Sequence, residues 1–399
     1  MKLKYFLIIM TFIAVVSDTM LHPFYPQFFM DKFLVERPEH VGYYLAACCL
    51  IIMLAFPFWA WVNKKYHLFD ILIITQLVAA ALCITIFWVS NIFLFWTIAL
   101  TMIFFKGSYL LMYPFIMKID EQENHTSSIS ILSVIVHLGA ILGAFFGGGM
   151  LDYVDASYVF FIMAAGDLIQ FGVCLYLKKI HDTSTETSAT KEDEKEEESA
   201  STWAPHVLKI GGITMVLYFS TFLIRPFFVE YWEAVTQTNS NLMGGMVYSI
   251  PAFVGIMALI YNHYVAKKQS PVKVILPSLV LGFCGILLQG SGFSFSIIVG
   301  RLMYGWAVFQ LYVQFDVIAF QKSIPENYAS DYSKIHLLQN MGVLMASLVS
   351  GYSVELFSLT MPFWISSVGF IVAGALFVFF FRTELFKKVK TKTLKSLSV

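Results

Sequence analysis

Seven ionisable side chains interrupt the long apolar runs of this 399-residue sequence: Asp18, Lys106, Asp167, Arg225, Glu230, Arg301 and Asp316. Carrying a charge to the middle of a hydrocarbon slab costs from about 2.5 to more than 10 kcal/mol, so each needs a partner, a proton or water. Asp18 follows Lys4 by 14 residues, about 21 Å along a helix that rises roughly 1.5 Å per residue. His22, four residues on, shares its face. A carboxylate at that depth takes up a proton when its surroundings dry out. Asp18 is therefore the expected proton-coupling group, with His22 assisting; a fixed ion pair with Lys106 or Arg225 is the alternative.

The cations Lys106, Arg225 and Arg301 suggest a second kind of chemistry. An arginine fork matches carboxylates and phosphates, and lysine adds a point charge. Tyr109 and Tyr113 follow Lys106, and Tyr304 and Tyr312 follow Arg301, at helical spacing. Lys106, Arg225, Arg301, Tyr109 and Tyr312 are the expected binding set for a small anionic or polycarboxylate ligand. The competing reading is internal neutralisation by Asp18, Glu230 and Asp316. Glu230 and Asp316 are expected to act as gating contacts, and Asp167 as a structural or gating residue. No HExxH, GxSxG or phosphate-cradling glycine loop is present, so nothing points to an enzyme. The five cysteines lie in apolar runs without CxxC spacing and read as small buried hydrophobes; no metal and no cofactor are expected.

The elements that carry these residues follow from composition. Hydrophobic residues make up 58% of the chain and charged ones 13%, with mean hydropathy +0.73, against about 25% charged in a soluble domain. Most of the chain must be solvated by lipid. A spanning helix needs about 20 apolar residues, and such runs fall near 5–27, 41–61, 70–89, 92–117, 127–151, 157–177, 207–232, 242–265, 272–289, 293–320, 331–355 and 361–381. They are too long and too continuously apolar for barrel strands. The first run continues past Asp18 without a cleavage site, so it reads as a retained span rather than a signal peptide.

With both ends of the chain in the cytoplasm, only Lys32 and Arg37 of the 26 lysines and arginines fall in outside loops. Lys106, Arg225 and Arg301 lie within spans, and the rest lie inside, the distribution expected of an inner-membrane protein. Net charge is zero, which gives no nucleic-acid signal. The stretch 181–205, rich in Ser, Thr and Glu, has no apolar periodicity and reads as an acidic disordered linker. Residues 387–399 form a basic tail.

A shift of 203 residues superposes the two halves. It lays Leu21-His22-Pro23-Phe24 on Ile224-Arg225-Pro226-Phe227, Lys64-Lys65 on Lys267-Lys268, Gly139 on Gly342 and Gly148 on Gly351. His137 pairs with Asn340, which points to a polar packing site. Six spans per copy make these parallel repeats, residues 1–180 and 206–386, related by an axis along the membrane normal. Pro23 and Pro226, at matched positions, are expected to kink spans 1 and 7.

Twelve spans as six plus six, an acidic central loop, and dibasic loops after spans 2 and 8 resemble the major facilitator superfamily. The loop Trp61-Val62-Asn63-Lys64-Lys65 keeps the basic pair but carries Asn63 where an acid is characteristic. Gly139-Ala140-Ile141-Leu142-Gly143-Ala144-Phe145-Phe146-Gly147-Gly148 is similar to the glycine-rich motif of exporters, with Ala144 in place of proline. Glycines at this spacing also serve close helix packing. The resemblance implies an all-α fold of two six-helix bundles, with spans 1, 4, 7 and 10 lining a cavity. Six of the seven embedded charges fall on those spans. It also implies a monomeric secondary transporter that works by alternating access with protons. Ser17–Phe29 and Phe105–Leu110 look similar to bacterial permeases for carboxylate siderophores, which implies a ferric siderophore taken up into the cytoplasm. Export of a siderophore or drug against protons is the alternative.

Overall fold

The computed structural model describes residues 2–112, 115, 125–181, 203–264, 271–324 and 328–386. Most of the acidic linker, the basic tail and Tyr113 lie outside them. Among the described residues the chain is all α-helical with no strands. We number the helices α1 (Lys2–Thr19), α2 (Tyr25–Phe33), α3 (Pro38–Asn63), α4 (Leu68–Phe87), α5 (Ile92–Lys106), α6 (His125–Tyr153) and α7 (Val159–His181). The second repeat continues with α8 (Pro205–Leu223), α9 (Phe228–Thr236), α10 (Asn241–Tyr264), α11 (Pro271–Gln289), α12 (Ser294–Lys322), α13 (Tyr328–Leu356) and α14 (Met361–Phe386).

Eleven helical segments among the described residues are long and apolar enough to cross a membrane, and Phe6–Thr19 is a shorter apolar helix. Twelve spans result when α1 is continued by α2. The interruption falls at Met20–Phe24, around Pro23, and recurs between α8 and α9 around Pro226. Proline has no amide hydrogen to donate and its ring clashes with the preceding turn, so the expected kinks are full breaks.

The backbone repeats as the sequence does. Phe24 and Phe227, which precede α2 and α9, share near-identical torsions (φ −121°, ψ 13° and φ −108°, ψ 11°). Leu34 and Gln237, just after those helices, are the non-glycine residues with positive φ among the described residues, at 55° and 52°. Both pairs are 203 residues apart. Left-handed backbone is costly for a residue with a Cβ, so its recurrence at the same offset marks a shared template.

In lipid the backbone has to satisfy itself, and local side chains do the same. Thr11, Thr75, Thr214 and Ser278 each donate to the carbonyl four residues back. At helix starts, Asn91 accepts from the amides of Phe93 and Leu94. Asp155, in the loop after α6, accepts from the Ser157 amide at 2.7 Å, and that bond holds its carboxyl below the usual carboxylate range. All five cysteines are free thiols.

The chain forms two compact units that do not follow the sequence halves. The first contains α1–α7 together with residues 225–256 and 347–359; the second contains α8, 257–346 and α14. In the first, Phe28, Phe29, Tyr44 and Phe95 form a buried aromatic cluster that seats α2 against α3 and α5. The glycine-rich stretch of α6 is a packing device: a Cβ on Gly147 would collide with the Met20 carbonyl at the end of α1. Gly147→Leu should therefore overpack this junction by about 1–3 kcal/mol or more. A lower Tm and less monodisperse protein in detergent would check it, with Phe146→Leu, at the exposed neighbouring position, as comparison.

Candidate functional site

α5 ends at Lys106, and the chain tightens into a 3-10 stretch, Gly107–Leu111. This places the Lys106 ammonium between two carboxylates. It donates to Asp18 Oδ1 on α1 at 2.6 Å and to Asp167 Oδ1 on α7 at 2.8 Å. The three side chains differ sharply in access to solvent: Asp167 is 1% exposed, Lys106 10% and Asp18 37%. Cys83 Sγ on α4 lies 3.6 Å from the other Asp167 oxygen and 3.0 Å from Met102 sulfur, with one thiol proton to give, and closes the buried side. The set is a cation shared by a buried and a partly exposed acid, with formal charge −1 when both acids are ionised.

Asp18 and Lys106 are thus paired, as one of the two sequence readings had it. Asp167 is the member that the pattern missed. The shift of 203 would give Asp18 the twin Thr221, Lys106 the twin Phe309 and Asp167 the twin Phe370. None of the three charges recurs, so the repeat could not flag them as a set.

His22 and Arg225 occupy equivalent positions in the two helix breaks, and Arg225 is half-buried there. Glu230 sits half-buried in the first turn of α9. Tyr109 lies on the 3-10 stretch, in the apolar cluster of Trp59, Leu72 and Leu111.

Arg301, Tyr312 and Asp316 belong to the second unit. Arg301 is buried on α12. One turn on, the Tyr304 hydroxyl donates to the Thr221 carbonyl at 3.1 Å. The Tyr312 hydroxyl shares a 2.5 Å hydrogen bond with Thr221 Oγ1, and its ring stacks on Tyr218 at 4.5 Å. α8 and α12 are therefore stitched together beside the arginine. Asp316 is half-buried one turn beyond Tyr312.

A further site within the first unit was not legible in sequence. Asp152, near the end of α6, caps the start of α10. It accepts from the Asn241 amide at 2.7 Å, the Leu242 amide at 3.0 Å, the Asn241 side chain at 3.0 Å and Ser240 Oγ at 3.0 Å. A carboxylate here satisfies the free amides of the helix start and meets the positive end of its dipole. Gly148, one turn earlier on the same face, makes room: a Cβ there would stand 2.5 Å from the Asn241 carbonyl oxygen. The Tyr43 and Tyr352 hydroxyls, from α3 and α13, meet at the same end of the helices.

With the geometry in place, comparison with known proteins is decisive. Residues 7–333 match the family model of the Major Facilitator Superfamily. The chain belongs to that superfamily. It is a multi-pass membrane transporter and not an enzyme. The fold is similar to that of a mutant of the nucleoside transporter NupG, with a TM-score of 0.76 at 12% identity, over 94% of this chain and 99% of the other. It is also similar to a bacterial homologue of the human lysosomal transporter Spinster, in an inward-facing and occupied conformation (TM-score 0.75, 11% identity, 96% and 97% covered). The human organic anion transporter MFSD10 aligns with a TM-score of 0.67 at 13% identity, over 94% and 98% of the chains. The search of curated proteins gave no match.

Removing the shared cation should expose the cost of the cluster. Lys106→Met leaves Asp167 buried without its ion partner, a loss of about 3–5 kcal/mol, read as a fall in Tm. Combining it with Asp18→Asn and Asp167→Asn should return most of that loss. Additive losses would show that the three do not act together.

Proposed function

We propose that this transporter couples protons to the uptake of a small anionic or polycarboxylate solute, through competition for Lys106. The observation that supports this is the shared ammonium, held by one solvent-reached and one dry carboxylate. A proton on Asp18 removes its charge and releases one of the lysine's donors. Asp167, out of reach of solvent, keeps the cation in place and charged. The released donor then serves a carboxylate of the cargo. Proton and anion thus bind together, the linkage required for symport, because each takes a partner that the other frees.

In this reading Arg225 and Arg301 complete the anion contacts, with Tyr109 and Tyr312 beside them, and His22 passes protons to Asp18. Glu230 and Asp316 gate. Residues 1–180 and 206–386 are the rocking bundles, joined by a cytoplasmic linker at 181–205, in a monomer of the inner membrane with both termini and the 387–399 tail in the cytoplasm. The Asp152 cap on α10 acts as a lock at the far end of the helices from the chain's start. The solved relatives carry different solutes by name, so fold does not choose the cargo. The cargo assignment, a ferric carboxylate siderophore, rests on the resemblance of Ser17–Phe29 and Phe105–Leu110 to siderophore permeases and on the basic residues.

Proteoliposomes loaded with a pH gradient test the coupling. Asp18→Asn should abolish the response of citrate-type ferric siderophore uptake to an uncoupler while leaving binding measurable. Wild-type pH dependence in that variant would move coupling elsewhere. Direction follows from the same assay, since accumulation driven by outward proton flow would indicate export.

The anion reading makes a separate prediction. Arg301→Gln loses a charge-assisted contact of about 1.5–3 kcal/mol, so KM for an anionic cargo should rise roughly ten- to hundredfold. An unchanged KM would remove Arg301 from the binding set.

A further inference from the structure

The second unit contains a cavity of about 470 Å³ on the flank of α10, α11 and α12. It is separate from Arg301 and Tyr312, neither of which lines it. α11 contributes lining residues from Lys273, two residues into the helix, to Leu281. That is an axial reach of about 12 Å, close to one leaflet of a hydrocarbon core about 30 Å thick. The cavity therefore has the length of a single lipid's buried part.

Its chemistry changes along that length. At one end stands Lys273, exposed in the first turn of α11, with Asn262 from the last turns of α10. Tyr261 and Trp306 meet edge to face at 5.2 Å and close one side of the cavity. The Asn262 and Gln310 amides exchange two hydrogen bonds, at 2.9 and 3.1 Å, and fix the polar wall. Val274, Pro277 and Leu281 supply an apolar wall deeper in. Among the described residues that line it there is one cation and no carboxylate. A neutral apolar guest would leave the amide wall and the lysine unused, and a free small anion would leave the apolar wall unused.

We propose that this cavity is a binding site for one anionic phospholipid, its phosphate on Lys273, its glycerol region on the Asn262–Gln310 wall and an acyl chain along Val274 to Leu281. Basic recesses between spans are suited to anionic headgroups.

Native mass spectrometry of the full chain with added phosphatidylglycerol or phosphatidylcholine tests it. A single phosphatidylglycerol adduct should persist where the phosphatidylcholine adduct is lost. Lys273→Gln, at an exposed position, should lower its retention by about fivefold, the worth of one lysine near an anionic surface. Leu281→Trp, which fills the apolar end, should abolish the adduct while the protein stays monodisperse. Phosphatidylglycerol carrying bromine on its acyl chain should quench the fluorescence component that Trp306→Phe removes. Equal retention of the two lipids, or an unchanged adduct in both Lys273→Gln and Leu281→Trp, overturns the assignment. So does displacement of the lipid by inorganic phosphate, which would make this a soluble-anion site.

Discussion

Burial of an ammonium between two acids of unequal exposure is the constraint around which the first repeat is organised. In a medium of low dielectric, a charge is held either by partners or not at all. Lys106 is held between α1, α5 and α7 by the acids presented to it, and each presentation has its own structural cause. α1 must stop near Asp18, and the break around Pro23 stops it. α5 must end at Lys106, and the 3-10 stretch that follows turns the chain there. α7 must lie close to α4 and α1 for Asp167 to reach inward. A shift of one helical turn in any of the three would separate the charges.

The two repeats share a backbone and divide the chemistry. Matched torsions at Phe24 and Phe227, and matched left-handed residues at Leu34 and Gln237, show one template used twice. On it, the first copy carries acids and a lysine where the second has Thr221, Phe309 and Phe370. The second copy carries Arg301, whose counterpart is Ile98. The embedded charges thus differ between the copies while the backbone scaffold stays common.

Much of this was legible before any coordinates. Apolar run length gave the spans, because lipid leaves the backbone few alternatives. The 203-residue offset gave the repeat, because one template imposes its prolines and glycines twice. The glycine spacing of α6 signalled close packing, and the structure shows the Met20 and Asn241 carbonyls against it. Asp167 was not legible as a partner of Lys106. It lies 61 residues away on a span outside the expected cavity set, and pairing between helices leaves no periodic trace in sequence. The Asp152 cap was hidden for the same reason, since two of its four donors are backbone amides, which every residue but proline carries.

That choice of neutral donors has a consequence for how the molecule can move. An ion pair between two side chains, once separated in a poorly hydrated crevice, strands both charges and resists opening. The contact at Asp152 lies at the water-facing end of its helices. On parting, solvent can hydrate the carboxylate and the bare first turn of α10 alike. Parting such a contact therefore costs less than parting an ion pair in a dry crevice, the property that the proposed lock needs.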